Sequence, residues 1–537
     1  MTGKRVEKSW TWHLKAPRDV LWPLISNTER MNEALRLPRY RLRETIGDDG
    51  LRRRFGEYDD QGTLVRWEEP PFEWVRDHWW RWDRHYETGP LERAHATLVM
   101  EPGAKGGTVA TYTLVAEPRS TAGSVLTRTG HLRDAGKAFE RLLKLADAHA
   151  RKPQGDFYAN LAATRSAATP DRGGPYKVPE DVAPEEKALA QQLLDWLAVA
   201  FESDLRDIRA KRVARALGIN PGEAHVAMVI GTEIGALQSC FRLICPVCRG
   251  TAREAATPGE LPRSIGCPHC GGTVETNYTR SVEVVFTPHD TIRGPSPLVH
   301  CASGPSVSPR IMLQQILDPH ERRDLPASFA PGGYVIRTID GQSRLEFDAE
   351  EGKGALIRVG DDWIEIPEIM DSVVLENHGE RTATIIVERA DWPSESTSLG
   401  EWLTYERCRN ALSISTLDLD DAQEAGVLSL VVISAQGEGT EAACRRIASA
   451  HGGAVVEDTG SGIALVFGRP SDAQRAIDAG LQALPAARIG ADHGALWLTQ
   501  GAGYAGDARD RVSELAGLAQ QGVPNLSPAF REALEGS

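Results

Sequence analysis

Four of the eight cysteines form two C-x-x-C pairs, Cys245-Pro-Val-Cys248 and Cys267-Pro-His-Cys270, with 18 residues between the pairs. A C-x-x-C turn presents two thiolates from one tight knuckle. Two knuckles at this separation supply four soft donors for a tetrahedral divalent ion. The expectation is a zinc ribbon with a structural Zn2+ held by Cys245, Cys248, Cys267 and Cys270. Four cysteines leave no open coordination position for a catalytic water. The alternatives are a site that has lost its metal and a redox pair. His269 is the weaker ligand candidate, because its neighbours Cys267 and Cys270 already fit. Cys240, Cys301, Cys408 and Cys444 stand alone and read as core thiols. Paired C-x-x-C motifs of this kind suit a reducing compartment and a metal, not disulfides.

Two other groupings could do chemistry. Eight of the 13 tryptophans lie within the first 82 residues. They would either enclose a small apolar ligand or fill a core. No His, Ser or Cys arrangement in that region points to catalysis. The basic cluster Arg206, Arg209, Lys211, Arg212 and Arg215 offers a candidate nucleic-acid contact, set against the ordinary reading of a solvated helix face.

The elements that must position these residues follow from periodicity and turn signals. Residues 1–152 read as one α+β domain: a strand at 7–14, a helical stretch at 17–35, strands at 40–44, 51–58, 64–68, 79–87, 94–100 and 108–116, and a closing helix at 126–150. That order is a helix-grip fold. Residues 153–187 are rich in Pro, Gly and Ala and read as a linker. Residues 188–244 form a helical segment, expected to be helical through 240. Within it 212–237 reads as an αα-hairpin, with a helix-turn-helix as the alternative. The zinc ribbon occupies 245–290. A small β-rich domain occupies 291–395, with strands at 334–338, 355–359, 372–376 and 382–388. A connector, 396–421, carries a helix at 399–412. Residues 422–537 alternate strand (427–433), helix (440–450), hairpin (454–457 and 463–467), helix (471–484) and strand (487–491), which is an α/β domain.

The chain has 537 residues, 41% apolar and 25% charged, which excludes a fibre, a coiled coil or a chain disordered throughout. Its longest apolar runs are far below the roughly 18–20 residues of a membrane span. With no apolar leader visible, the expected location is cytoplasmic and away from membranes. The formal charge of −14 opposes a general role on nucleic acid. Residues 401–537 contain 10 Arg, no Lys and 18 Asp or Glu, a local balance of −8.

Several segments resemble a known set of bacterial multidomain proteins. NTERMNEALRLPRY (27–40), WEEPPFEWV (67–75) and HYETGPL (85–91) are similar to the SRPBCC, or START-like, domain that precedes cyclase domains. ICPVCRG (244–250), VEVVF (282–286), HCASGPSVSP (300–309), GGYVIRT (332–338) and VLENHGERTATIIVERADW (374–392) resemble the uncharacterised central domain of the same proteins. GGAVVEDTGSGIALVF (452–467), RIGADHG (488–494) and GYAGDARDRVSELAGLA (503–519) resemble a class III adenylate/guanylate cyclase domain. The resemblance implies a ferredoxin-like α/β fold for 422–537.

The resemblance also implies where cyclase chemistry should sit. The family holds two metal ions with two aspartates, selects the base with a Lys and an Asp, and supports the ribose and the transition-state charge with an Asn and an Arg. Those six positions fall here on Ser434, Ser461, Glu457, Gly503, Asp510 and Glu514. A hydroxyl is a much weaker divalent-metal ligand than a carboxylate. Glu457, Asp510 and Glu514 would face a triphosphate with negative charge, where family members place neutral or cationic groups. The expectation is a degenerate cyclase domain without catalytic residues. The whole is expected to be a non-catalytic regulatory or scaffolding protein. It would self-associate or dock a partner through 422–537, with ligand sensing in 1–152. The alternatives are a divergent nucleotidyl cyclase and nucleic-acid binding through the helical and zinc-ribbon region.

Overall fold

In a computed structural model of the chain, the residues described are 5–46, 52–60, 62–120, 132–153, 155–163, 176–178, 182–293, 296–339, 343–390, 395–412, 423–437, 439–458, 462–498 and 504–535. Of the expected linker, 154, 164–175 and 179–181 fall outside them, as does 413–421 of the connector; within the described part of the linker Phe157–Ala163 is a helix whose Phe157, Tyr158 and Leu161 are buried in a core cluster. In chain order, strand β1 (Val6–Leu14) is followed by helices α1 (Arg18–Ile25) and α2 (Thr28–Ala34). Strands β2 (Tyr40–Ile46), β3 (Arg52–Asp60), β4 (Thr63–Glu68), β5 (Glu73–Val75), β6 (Trp79–Tyr86), β7 (Leu91–Pro102) and β8 (Thr108–Pro118) come next. Helices α3 (Leu132–Arg151), α4 (Phe157–Ala163), α5 (Pro184–Val199), α6 (Ala210–Leu217) and α7 (Pro221–Glu233) follow. The ribbon region contains β9 (Leu237–Ile244), β10 (Thr251–Ala255), β11 (Ser264–Gly266), β12 (Thr273–Glu275) and β13 (Val282–Pro288). Then come β14 (Leu298–Val299), β15 (Ile311–Leu317), β16 (Arg322–Leu325), β17 (Gly332–Thr338), β18 (Arg344–Ala349), β19 (Gly354–Val359), β20 (Ile364–Met370), β21 (Val373–Asn377) and β22 (Ala383–Arg389). The C-terminal part runs α8 (Leu399–Leu403), α9 (Glu406–Ala411), β23 (Gln423–Ser434), α10 (Thr440–Ala450), β24 (Gly453–Asp458), β25 (Ile463–Phe467), α11 (Pro470–Ala483), β26 (Arg488–Leu498), β27 (Tyr504–Ala505), α12 (Asp507–Leu518), β28 (Asn525–Leu526) and α13 (Pro528–Glu535). The fold is mixed α+β with several sheets, their pairings mostly antiparallel. Among the described residues, no helix is long and apolar enough to cross a membrane.

Contacts divide the chain into two units. The first comprises Met1–Thr169, Phe201–Ser203 and Ser296–Pro393. Its main sheet runs β14-β2-β3-β4-β6-β5-β15-β22-β17-β18, with β7, β8 and β1 continuing from β6. Alternation makes these strands: β7 buries every second residue from Ala94 to Met100, as a sheet covered on one face requires. Trp22, Trp74 and Trp80 are buried in one cluster with Phe139, Leu142, Leu143 and Ala146 of α3. The ring of Tyr112 stacks on Phe139 with centroids 3.8 Å apart. A second sheet, β16-β21-β19-β20, shares a core with β15, β17 and β22 through Leu325, Ile357, Val373, Leu375, Tyr334 and Ile385.

Two segments distant in sequence lock together inside this unit. Glu29 accepts from the backbone N–H of His300 and of Cys301, each at 3.2 Å. The Thr28 hydroxyl donates to Cys301 Sγ at 3.0 Å, and Asn32 Nδ2 donates to the His300 carbonyl at 3.1 Å. Thr28 Oγ1 occupies the place a Cβ on Gly304 would need, so only glycine fits there.

The second unit comprises Pro170–Ala200, Asp204–Pro295 and Ser394–Ser537. Its C-terminal sheet runs β24-β25-β23-β26-β27, all antiparallel, with β28 added parallel to β26. Helices α10, α11 and α13 share the core of one face with Val431, Ile433, Leu465 and Ile489. The other face, with Leu428, Leu430, Val432 and Val466, shares a buried cluster with α8, α9 and α12 and with the ribbon and helical segments. Each face is therefore packed against elements of the same chain, with Val427 and Trp497 of the β23–β26 pair left exposed.

Three local expectations are corrected. The stretch 17–35 is two helices, because Asn27 caps the second by accepting from the backbone N–H of Arg30. Helix does not continue to 240: Gly235, at φ 74°, follows the end of α7, and Leu237–Ile244 pairs with β10 and β13 as a strand. The helix expected over 399–412 is two short ones, α8 and α9.

Candidate metal centre and other candidate sites

The two C-x-x-C segments have the same backbone. In the first, Cys245 N–H donates to Gly250 O at 2.9 Å and Arg249 N–H to Cys245 O at 3.0 Å. In the second, Cys267 N–H donates to Gly272 O at 2.8 Å and Gly271 N–H to Cys267 O at 2.9 Å. The residue after the second cysteine is left-handed in both: Arg249 at φ 61° and Gly271 at φ 72°. Each knuckle thus turns two thiols to one side.

The four Sγ atoms lie within 4.8 Å of one another. Cys245 to Cys270 is 3.7 Å and Cys248 to Cys267 is 3.6 Å. A disulfide needs about 2.05 Å. A zinc tetrahedron with Zn–S of about 2.3 Å has edges of about 3.8 Å. The donor set and its spacing therefore suit a metal ion such as zinc. Burial raises the Cys245 and Cys248 thiols, whereas at Cys267 burial is outweighed by the amides of His269 and Cys270, which favour the thiolate. His269 Nε2 donates to Thr251 O at 3.1 Å, so its ring is engaged by backbone. Cys301, Cys408 and Cys444 are buried, and burial raises all three thiols; Cys240 is half-buried.

The expected cyclase positions are spread over the C-terminal sheet and α12. Ser434 ends β23, half-buried and opposite Arg488. A Cβ on Gly462 would lie 3.0 Å from Ser434 Cα, so the returning hairpin passes directly beside it. Glu457 pairs with Ala464 in β24. Its side chain, and the residues Ser461 and Gly503, lie outside what is described. Asp510 and Glu514 lie one turn apart on α12, both exposed.

The acid that is buried in this module is another one. Asp492, in β26, accepts from the Ser527 hydroxyl at 2.5 Å, from His493 N–H at 2.8 Å and from Arg511 Nε at 2.8 Å. The segment RIGADHG carried this residue in plain view, but nothing in its spacing marked the aspartate as buried.

Most of the basic cluster serves as internal fastening. Arg209 pairs with Glu283 at 2.8 Å, Lys211 with Glu401 at 2.6 Å, and Arg212 with Glu395 at 2.9 Å, with Arg215 on the same carboxylate. Burial would raise the Glu395 carboxyl, but Arg212 and Arg215 outweigh it and hold it at about 2. Helix α7, the would-be recognition helix, buries Ala224, His225 and Ala227–Gly231 and has no free face to offer a groove. The His225 and Tyr405 rings lie 4.4 Å apart, tilted by 33°, and among the described residues neither nitrogen of His225 has a hydrogen-bond partner.

No protein-family model matches the chain, and no curated protein matches it. Solved structures with partial likeness include the Zhui aromatase/cyclase from Streptomyces sp. R1128, at 11% identity over 28% of this chain and 100% of that one, with a TM-score of 0.23. Ara h 8.0201 shares 12% identity over 27% of this chain and 98% of its own, with a TM-score of 0.20. TTHA0849 from Thermus thermophilus shares 19% identity over 30% of this chain and 100% of its own, with a TM-score of 0.19. At these scores the likenesses carry no argument about function.

Proposed function

We propose that the protein is a non-catalytic regulatory or scaffolding protein that self-associates or docks a protein partner through residues 422–537, a module with cyclase-like chain order and without cyclase chemistry. In this reading residues 1–152 are a START-like helix-grip domain, and Cys245, Cys248, Cys267 and Cys270 hold a structural zinc. The module's strand–helix–strand–strand–helix–strand succession, with its fourth, first, third and second strands side by side, supports a ferredoxin-like assignment.

The observation that carries the docking role is an apolar patch on that sheet. Val427 is 41% and Trp497 38% exposed. Val427 pairs with Ala495, two residues before Trp497, so the two side chains share one face of the β23–β26 pair. Exposed aromatic and aliphatic neighbours on a sheet can seat a partner's apolar side chains, as interface anchors do.

Sedimentation equilibrium of the full chain, alone and as V427S/W497S, tests the reading. The wild type is expected to dimerise at micromolar concentration, and the double variant to shift toward monomer by about tenfold in Kd. A wild-type chain that stays monomeric, or a dimer indifferent to both substitutions, would overturn self-association through this patch.

A further inference from the structure

A cavity of about 600 Å³ lies in the first unit where the start of α1 meets the β5–β6 turn and β15. Its size is that of small-molecule sites, roughly 300–1,000 Å³. Among the described residues none from α3 lines it, so it is separate from the aromatic-filled space beneath that helix. Val75, Met312 and Phe329 make its wall apolar; Arg18, Asp19, Asp77 and Asp371 give it charge, the last already paired with Lys353 at 2.8 Å.

Asp77 is the informative residue. His78 N–H donates to Val75 O at 3.0 Å, which closes a four-residue turn with Asp77 in third place at φ 64°. Glycine is the usual occupant of such a position. The turn is pinned by Arg76 N–H to Met312 O at 2.8 Å, by Arg76 Nη1 to Pro309 O at 3.2 Å and by Met100 N–H to His78 O at 2.7 Å. None of these bonds uses the Asp77 carboxylate. Among the described residues, the side chains of Arg18, Asp19 and Asp77 have no hydrogen-bond or ion-pair partner. Burial pushes the Asp77 carboxyl above its ordinary value; Arg76 and Arg18 pull against this, and Asp19 adds to it. The Asp77 carboxylate is thus half-buried, outside the turn's own bonding, and part of the cavity lining.

A carboxylate that is desolvated and has a second carboxylate nearby is relieved by a cation, and an uncommitted guanidinium takes a carboxylate in fork geometry. We propose that this cavity binds a small zwitterion, an apolar α-amino acid or its short peptide, with the ammonium on Asp77 and Asp19 and the carboxylate on Arg18. The apolar side chain then packs on Val75, Met312 and Phe329. This binding goes beyond the docking role and stands or falls separately from it.

Calorimetric titration of the full chain with L-leucyl-L-phenylalanine, its N-acetyl derivative and its C-terminal amide tests the assignment. The dipeptide is expected to bind, and each blocked form to bind about tenfold more weakly. Asp77→Asn, which tolerates the left-handed backbone, weakens the dipeptide and the amide and leaves the N-acetyl form unchanged. Arg18→Gln weakens the dipeptide and the N-acetyl form and leaves the amide unchanged. Asp77→Gly relaxes the turn and repeats the carboxylate test if the Asn variant melts early. Absence of heat with the dipeptide up to about 5 mM, equal affinity for the three probes, or variants that do not separate ammonium from carboxylate overturns the proposal.

Discussion

The Sγ atom of Cys245 lies 3.7 Å from that of Cys270, which belongs to the other knuckle. The short approaches thus bridge the two ends of the ribbon, which is how one ion would cross-link them. Cys245 and Cys267 also belong to the buried cluster that extends to the C-terminal sheet. Purified protein should carry one zinc per chain by elemental analysis. Cys245→Ser should remove it and lower stability by at least about 3 kcal/mol, since metal binding of roughly 10–16 kcal/mol in such sites is folding free energy. A metal-free wild type with an unchanged melting curve in chelator would contradict the site.

His225 sets a pH dependence. Burial, with the Lys211 cation, lowers it to about 3. The folded state therefore prefers the neutral ring, while the unfolded chain takes up the proton near pH 6.5. The contribution is complete above pH 6.5 and is lost as pH falls toward 3. It amounts to about 2 kcal/mol between pH 8 and pH 5. Denaturant titrations at the two pH values should show that difference shrinking by about 2 kcal/mol in His225→Phe; an unchanged difference would place the acid sensitivity elsewhere.

Asp492 is fully buried and serves three donors, one of them charged. Asp492→Ala strands the Ser527 hydroxyl and the His493 amide in the interior. A loss of roughly 3 kcal/mol is expected, read as a lower denaturant midpoint. A change below about 0.5 kcal/mol would mean water replaces the carboxylate.

The non-catalytic reading proposed for residues 422–537 predicts no turnover. Incubation with each of the four ribonucleoside triphosphates and Mn2+ or Mg2+ should yield no cyclic nucleotide, because in that reading Ser434 would offer a hydroxyl where the reaction needs a metal-binding carboxylate. Product above background that scales with enzyme and disappears on heating would restore the enzymatic reading.

The parts legible in sequence are those whose cause is local. The cysteine spacing lies within single turns, and the alternation of β7 or β8 is a property of one strand. The expected helix over 440–450 coincides with α10 for the same reason. What escaped reading depends on distant neighbours. Strand β15 carries Gln314 and Gln315 among apolar residues, which breaks the alternating pattern. Both are buried because their amides donate to the carbonyls of Phe72 and Trp74. Likewise, Asp77 looks like an ordinary turn acid until Met312 and Phe329 are seen beside it. The basic cluster misleads in the opposite direction: its charge is visible in sequence, but the acids that neutralise it lie about 70 to 190 positions away.

The first unit is assembled from segments on either side of an insertion, and this sets a timetable for synthesis. Strand β5 finds its neighbour β15, and Glu29 its two amide donors, only after residues 300–317 leave the ribosome. The sheet closes with β22, some 220 residues after the first segment ends at Thr169. At 5–20 residues per second that is a wait of roughly 10–45 s with an open strand edge. A nascent chain of this design depends on being shielded during elongation, and its yield should respond to translation speed and chaperone supply more than its finished stability implies.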